Sequence, residues 1–245
     1  MLVRFKQAID RERFFPGFFG LISNPLHISR RGLVMGVQRF AGQFSGAVLD
    51  FGCGSKPYRQ LFSGCERYIG LDIAVSGHDH ADSHVDVFYD GKIIPFQDGH
   101  FDGVVAFEVL EHVFTLDQTL KELHRVVRPG GLLLVSVPFG WDEHEAPYDF
   151  ARYTSFGLAH VLTVAGFEVL ETHKTNTFLL AVAQLFIEYL SKDVAPKKGA
   201  LRTVFKLAII FPLTVLAYAL NAVLPKRYSY YNNCIMLARR AQSGN

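Results

Sequence analysis

The chain has 245 residues, 49% of them hydrophobic, and a formal net charge of +2. That length suits one sizeable α/β domain with an appended helical piece, able to bury a full core without cross-links. The near-neutral charge leaves no electrostatic footprint for nucleic acid, and none is expected as a partner. The three cysteines, Cys53, Cys65 and Cys234, sit at unrelated spacings without a C-x-x-C pair, which favours a reducing compartment, argues against a disulfide framework or a zinc site, and leaves no metal assigned.

The first thirteen residues mix Arg4, Lys6, Asp10, Arg11, Glu12 and Arg13 among apolar residues, unlike the apolar core of a signal peptide, so the expected location is the cytoplasm. Phe14 to Ile22 is aromatic and interrupted by Pro16, Gly17 and Gly20, which predicts an irregular apolar segment. From Ala47 onward, β-rich runs alternate with helical stretches: Ala47 to Phe51, Tyr68 to Asp72, Val85 to Phe88, Gly103 to Phe107, Leu132 to Val137 and Phe167 to Glu171. Such alternation predicts a parallel sheet covered by helices. Between the fourth and fifth runs, Thr115 with Gln118 reads as a capping box, and Leu116, Leu120, Leu123 and Val127 recur at helical spacing up to Arg128-Pro129-Gly130-Gly131. A further helix starts near Thr154, buries Leu158, Val161, Leu162 and Ala165, and stops at Gly166.

The first strand runs directly into Gly52 and Gly54 and then into Pro57 at a helix start. Without a Cβ, these glycines allow a sharp turn and a close approach to a ligand. A G-x-G turn alone fits several nucleotide cofactors. The second strand places Asp72 eighteen residues after Gly54, where a carboxylate can accept both hydroxyls of a ribose. That spacing also suits a nicotinamide-dependent oxidoreductase.

In combination, V-L-D-F-G-C-G (48–54), G-L-D (70–72), D-G-x-x-I-P-F (90–96), F-D-G-V (101–104), V-L-E-H-V (109–113) and R-P-G-G (128–131) resemble the class I S-adenosylmethionine-dependent methyltransferases, in particular the type 11-like family. The resemblance covers roughly Ala47 to Glu171. It implies a doubly wound, mostly parallel seven-stranded sheet of the Rossmann-like methyltransferase type, with S-adenosylmethionine as cofactor. By matching position it implies a cofactor set of Asp50, Gly52, Cys53 and Gly54 in the glycine turn, Asp72 for the ribose, Asp90 with Gly91 for the adenine, and Glu108 near the methionine ammonium. Lys56 stands where the family often has a third glycine. Its two readings are a reach toward the cofactor's carboxylate and a plain solvated lysine, with the second favoured. Cys53 lacks an activating partner in the sequence and reads as a small buried filler.

After the fifth strand, Val137 to Thr154 is rich in aromatic and ionisable residues and lies where open α/β sheets bind ligands. Methyl transfer from a sulfonium depends mainly on positioning, and a base is needed only when the acceptor loses a proton. His144 is the candidate base, Asp149 its orienter and His112 the second candidate; Arg152 reads as a loop clamp on Asp149 or Glu145. The expected acceptor is amphiphilic or glycan-type and methylated on oxygen. An isoprenoid quinone or other small molecule methylated on carbon or oxygen is the rival, and a non-catalytic cofactor-binding module is the alternative outside enzymology.

Cys234 to Ala238 fits the seventh, antiparallel strand of the family. The predicted organisation is then an apolar, helical N-terminal segment (1–46) serving as acceptor cap or membrane contact, a methyltransferase core (47–175 and 228–240) and a hydrophobic helical insertion between strands six and seven (176–227). Leu207 to Leu224 is an uncharged run broken by Pro212, about 27 Å long as a helix. A single span would strand the seventh strand across the membrane from its sheet. The expectation is therefore peripheral contact with the inner membrane face through 207–224, bringing a small-molecule or lipid-linked acceptor within reach. The oligomeric state is not determined by the sequence.

Overall fold

The computed structural model describes residues 12–74 and 84–242. Most of the N-terminal stretch that reads as no signal peptide lies outside the described residues. Seven strands form one sheet: β1 (Gly46–Phe51), β2 (Cys65–Ile73), β3 (Val87–Tyr89), β4 (Phe101–Phe107), β5 (Val127–Pro138), β6 (Phe167–Lys174) and β7 (Asn233–Arg240). Their order is β3-β2-β1-β4-β5-β7-β6. β1 pairs in parallel with both β2 and β4, and β2 with β3 and β4 with β5 likewise. From β1 the chain winds to one side through β2 and β3, then to the other through β4 and β5. The tips of β1 and β4 are therefore the switch point at which open α/β sheets bind ligands. Val48, Leu49, Val104, Val105, Leu133, Leu134 and Val135 are fully buried, as expected for strands covered on both faces.

The chain divides into two compact units. One holds Val37–His173 and the residues from Cys234 onward, which carry nearly all of the sheet. Its helices include α3 (Leu116–Val126) and α4 (Ser155–Val164). Leu120, Leu123 and Val126 form the buried face of α3, while Val127 already belongs to β5. The Thr115 side chain makes no capping bond, so the predicted capping box is absent. The other end of α3 is capped from a distance: the Arg240 guanidinium donates to the carbonyls of His124, Arg125 and Val127, where the helix carbonyls lack partners. The Thr154 hydroxyl caps α4 by accepting the Gly157 N–H at 3.0 Å, and Gly166 ends the following turn at φ +91°.

The second unit comprises the described residues through Gly36 together with Lys174–Asn233. It contains α1 (Phe18–Ser23), the first part of α2 (His27–Ala41), α5 (Phe178–Tyr189), α6 (Ala200–Phe205) and α7 (Phe211–Val223). Pro16 and Gly17 limit α1 to six residues. α2 falls in the N-terminal segment read as apolar and helical, although Gly32 and Gly36 dilute the apolar pattern that would mark its bounds. Gly32 serves close packing: a Cβ there would lie 2.6 Å from the Asn176 side chain. Ile28, Leu180, Ile187, Ile210 and Ala217 form the unit's core. Pro212 does not break the apolar run. It sits in the first turn of α7 after a π-helical turn at Lys206–Ile210, where a missing N–H is tolerated.

Candidate active site

The glycine turn is built as its sequence suggests. Gly52 has φ +67° and Gly54 φ +46°, backbone that glycine adopts without penalty. A Cβ on Gly52 would lie 2.5 Å from Val109, so the glycine turn abuts the turn after β4. Among the described residues nothing lies within 4 Å of a Cβ position on Gly54, which leaves that side open to a ligand. The tip of β2 meets the same turn: Asp72 accepts the Gly54 N–H at 2.9 Å and the Ile73 N–H at 2.8 Å. A carboxylate has about four acceptor positions, so two remain for hydroxyls.

Asp50 is buried, and its carboxylate accepts the Tyr68 hydroxyl at 2.9 Å. Burial pushes its carboxyl up to about 7, against the opposing effect of the Tyr68 hydrogen bond and the Lys56 charge. The Cys53 thiol is also raised by burial and by the charge of Asp50, which makes it unreactive filler. Lys56 follows neither of its two sequence readings. It is 7% exposed at φ +51°, its stem lies over Gly70 and its ammonium pairs with Asp86. The pairing partner Asp86 also accepts the Gly70 N–H at 2.7 Å. Asp86 lies inside the predicted third strand, and β3 begins one residue after it.

Asp90 is exposed, and one of its oxygens receives the Lys92 and Ile93 N–H groups at 2.9 and 3.1 Å. These bonds hold its carboxyl below the ordinary value. The adjacent Gly91 has φ +78°. Glu108 sits at φ +55°, takes a hydrogen bond from the Ser136 hydroxyl at 2.7 Å, and donates its N–H to the Ser136 carbonyl at 3.0 Å. Lys56, Glu108 and Glu145 are three of the four described non-glycine residues with positive φ. Such strained backbone persists where surrounding contacts over-determine it, and it concentrates at functional sites.

Beyond Glu108, the turn at Leu110–His112 and the loop after β5 converge. The Phe150 N–H bonds the Glu111 carbonyl at 2.9 Å, and the His112 and His144 rings meet edge to face with centroids 4.9 Å apart. Asp149 faces His144 Nδ1 at 3.2 Å and accepts the His144 N–H at 3.0 Å. Its main partner is Arg152, which grips both carboxylate oxygens at 2.5 and 2.6 Å and also reaches the carbonyls of Ala151 and Asp142. The Arg152 guanidinium holds the Asp149 carboxyl well below the ordinary range. Glu111 was quoted in the sequence only as part of a motif. It is fully buried, and neither carboxylate oxygen has a hydrogen-bond partner. Burial and the neighbouring Glu108 push its carboxyl far upward. The Glu108-x-x-Glu111-His112 spacing was the available signal, since one short turn brings all three side chains to the same strand tip.

A seven-stranded sheet in this order, with a glycine turn and an acid at the tip of β2, defines a Rossmann-like protein built to bind a nucleoside-bearing cofactor at its switch point. The family model described as a methyltransferase domain matches residues 26–172, and the chain belongs to that family. A probable S-adenosylmethionine-dependent methyltransferase of Mycolicibacterium smegmatis is 34% identical over 147 residues, covering 55% of this chain and 57% of the relative. A mitochondrial ubiquinone biosynthesis O-methyltransferase of Dictyostelium discoideum is 28% identical over 133 residues, covering 46% and 37%. The chain thus spans little more than half of the first relative's length and just over a third of the second's. A SAM-dependent methyltransferase structure from Archaeoglobus fulgidus superposes with TM-score 0.55 at 16% identity, covering 91% of this chain and all of that one; at that identity the likeness concerns the fold. The cofactor is S-adenosylmethionine, and the nicotinamide reading of the glycine turn falls with the family match. The open side of Gly54 and the spare acceptor positions of Asp72 fit it.

Proposed function

We propose that the protein transfers the methyl group of S-adenosylmethionine to an oxygen of an amphiphilic, glycan-type or lipid-linked acceptor. The observation that carries this reading is the contact of Gly52 with Val109, which sets the cofactor turn beside the turn bearing Glu108, Glu111 and His112. The bound cofactor supplies a sulfonium methyl for in-line displacement, with a neutral thioether as leaving group. Asp72 holds the ribose hydroxyls, Asp90 and the Gly91 N–H read the adenine edge, and Glu108 pairs with the methionine ammonium. Asp50 supports the turn from beneath, with Gly52, Cys53 and Gly54 forming its wall. His144, oriented by Asp149, and His112 face the position from which a hydroxyl acceptor would lose its proton.

The amphiphilic acceptor is supported by the helical unit. Ala200–Val223 forms 24 continuous helical residues, about 36 Å, and only 17% of its most apolar stretch is buried. Phe18 and Phe19 on α1 are 72% and 73% exposed. The chain leaves the sheet at β6 and returns to it at β7, so an odd number of crossings is disfavoured, and α5 with its π-helical continuation to Val194 carries Glu188, Lys192 and Asp193 and is a poor second span. These features support a segment lying in the inner membrane surface with its apolar face in one leaflet. The second reading, methylation of an isoprenoid quinone, draws on the named activity of the Dictyostelium relative; such a substrate is equally amphiphilic.

Titration calorimetry with S-adenosylmethionine tests the cofactor site. Wild-type protein is expected to bind, and Asp72→Ala to lose at least about tenfold in affinity through the missing charge-assisted ribose bonds; unchanged affinity overturns the assignment. Mass spectrometry of lipid and glycan extracts from cells with and without the protein is expected to show a methylated species dependent on it. Full recovery of the protein in the supernatant after ultracentrifugation of a lysate removes the membrane part of the reading.

A further inference from the structure

We propose that Glu111, His112 and His144 form a binding site for a divalent transition-metal cation of the zinc or manganese type. One donor atom from each of the three lies within 4.8 Å of the others. A cluster of that kind alone is common, and here the buried groups add independent evidence. Glu111 is fully buried with both oxygens unpartnered, and His112 Nε2 is likewise buried without a hydrogen bond. A buried carboxylate without partners is costly, and a cation between it and two imidazoles removes that cost.

The histidines are oriented as ligands. His112 Nδ1 lies 2.8 Å from the Tyr148 carbonyl, an oxygen that can only accept, so Nδ1 carries the proton and Nε2 presents a lone pair. That lone pair is 3.7 Å from Glu111 Oε1 and 3.7 Å from Glu145 Oε2. His144 Nδ1 is enclosed by Asp149 at 3.2 Å, the Asp142 carbonyl at 3.3 Å and the Arg152 guanidinium at 3.4 Å, which leaves Nε2 as its ligand atom. Ligating histidines are characteristically held this way, with the second nitrogen tied to a carbonyl or carboxylate. Bonds of roughly 2.0–2.1 Å give ligand-to-ligand edges of about 3.3 Å in a tetrahedron. The Glu111–His112 separation is therefore within about half an ångström of coordination. Two imidazoles with one carboxylate select transition ions over calcium or magnesium, which prefer oxygen alone, and three protein ligands leave a position open.

The open position gives the site a use, which rests on the methyl-transfer reading above. An acceptor hydroxyl oxygen bound to the cation becomes more acidic and releases its proton to water. The resulting oxygen anion forms the O–CH3 bond as the sulfonium S–CH3 bond breaks, and that electron pair stays on the neutral thioether. His112 and His144 then serve as ligands instead of bases.

The test is calorimetry of the chelator-stripped, full-length chain with zinc, manganese and magnesium chlorides, together with elemental analysis. Wild type is expected to bind one equivalent of zinc or manganese and no magnesium. Glu111→Gln and, as a partly exposed substitution that leaves the fold intact, His144→Ala are each expected to weaken binding by at least about tenfold. Thermal melts verify folding, and affinity for S-adenosylmethionine is expected to persist in both. Absence of stoichiometric binding, or equal binding by wild type and both variants, overturns the cation site. Variants that lose methyl transfer while the stripped wild type binds no metal also overturn it, and leave the histidines as bases. Failure of wild type to bind S-adenosylmethionine overturns the methyl-transfer reading and leaves the cation count untouched.

Discussion

Replacing Lys56 by glycine restores the three-glycine turn common in the family and tests the account of why this chain departs from it. Two opposing effects set the outcome. The residue sits at φ +51°, where a non-glycine side chain costs roughly 1–2 kcal/mol that glycine recovers. Against that stands a side chain only 4% exposed, with its stem over Gly70. Its four methylenes contribute about 3 kcal/mol at ~0.8 kcal/mol each. The ion pair adds about 1 kcal/mol or less, because the Asp86 side chain is 49% exposed and keeps its bond from the Gly70 N–H. The balance is a loss of roughly 2 kcal/mol for Lys56→Gly. For Lys56→Ala, which keeps the strained φ but retains the β-carbon, the loss is greater by up to about 1 kcal/mol. Urea denaturation of the three proteins is expected to rank them wild type, glycine, alanine. Affinity for S-adenosylmethionine is expected to stay within about threefold in both variants, since the ammonium is turned toward Asp86. A glycine variant as stable as wild type, or alanine above glycine, refutes the reasoning; a tenfold loss of cofactor affinity in a folded variant refutes the buried placement of the side chain.

Three further outcomes follow from single observations. His27 is 3% exposed, and burial, reinforced by Arg31, lowers its pKa from 6.5 to about 4. Because the charged form is disfavoured in the folded state, stability is complete above about pH 6.5 and falls as the pH drops toward 4. Between pH 7.5 and 5 this site accounts for a loss of about 2 kcal/mol; denaturant titrations at both pH values should show it in wild type and not in His27→Phe, and identical slopes refute it. Gly52→Ala places a methyl 2.5 Å from Val109 at φ +67°, so cofactor affinity should drop by about tenfold or more. Adding Val109→Ala should restore part of it, whereas strictly additive effects in calorimetry deny that contact. Thr177 caps α5 and shares a 2.5 Å hydrogen bond with Asn221. Thr177→Ala should cost about 1–2 kcal/mol in chemical denaturation, and an unchanged midpoint contradicts the cap.

The local chemistry of the sheet was legible because it is carried by neighbours in sequence. Runs of buried residues bounded by turn-formers placed β1, β4 and β7 to within two residues and the inner part of β5, whose first five residues read as the end of a helix, and the glycine turn with Asp72 pointed to the crevice. The bounds of α2 were illegible because one of its glycines, Gly32, answers to Asn176, a partner more than a hundred residues away. The expected capping box at Thr115 failed for a related reason: α3 is stabilised at its other end by Arg240, again distant in the chain.

Taken alone, the sequence determined the order of strands and helices, the cofactor-binding turn and the apolar insertion, since each depends on spacing and residue type over a few turns of chain. Only the tertiary structure decided where charges end up. It turned Lys56 away from the crevice onto Asp86, chose Asp149 over Glu145 as the partner of Arg152, and left both Glu111 oxygens buried without a hydrogen bond beside His112. The energy of a charged group depends on burial and on what lies within a few ångströms, and those are properties of the assembled fold.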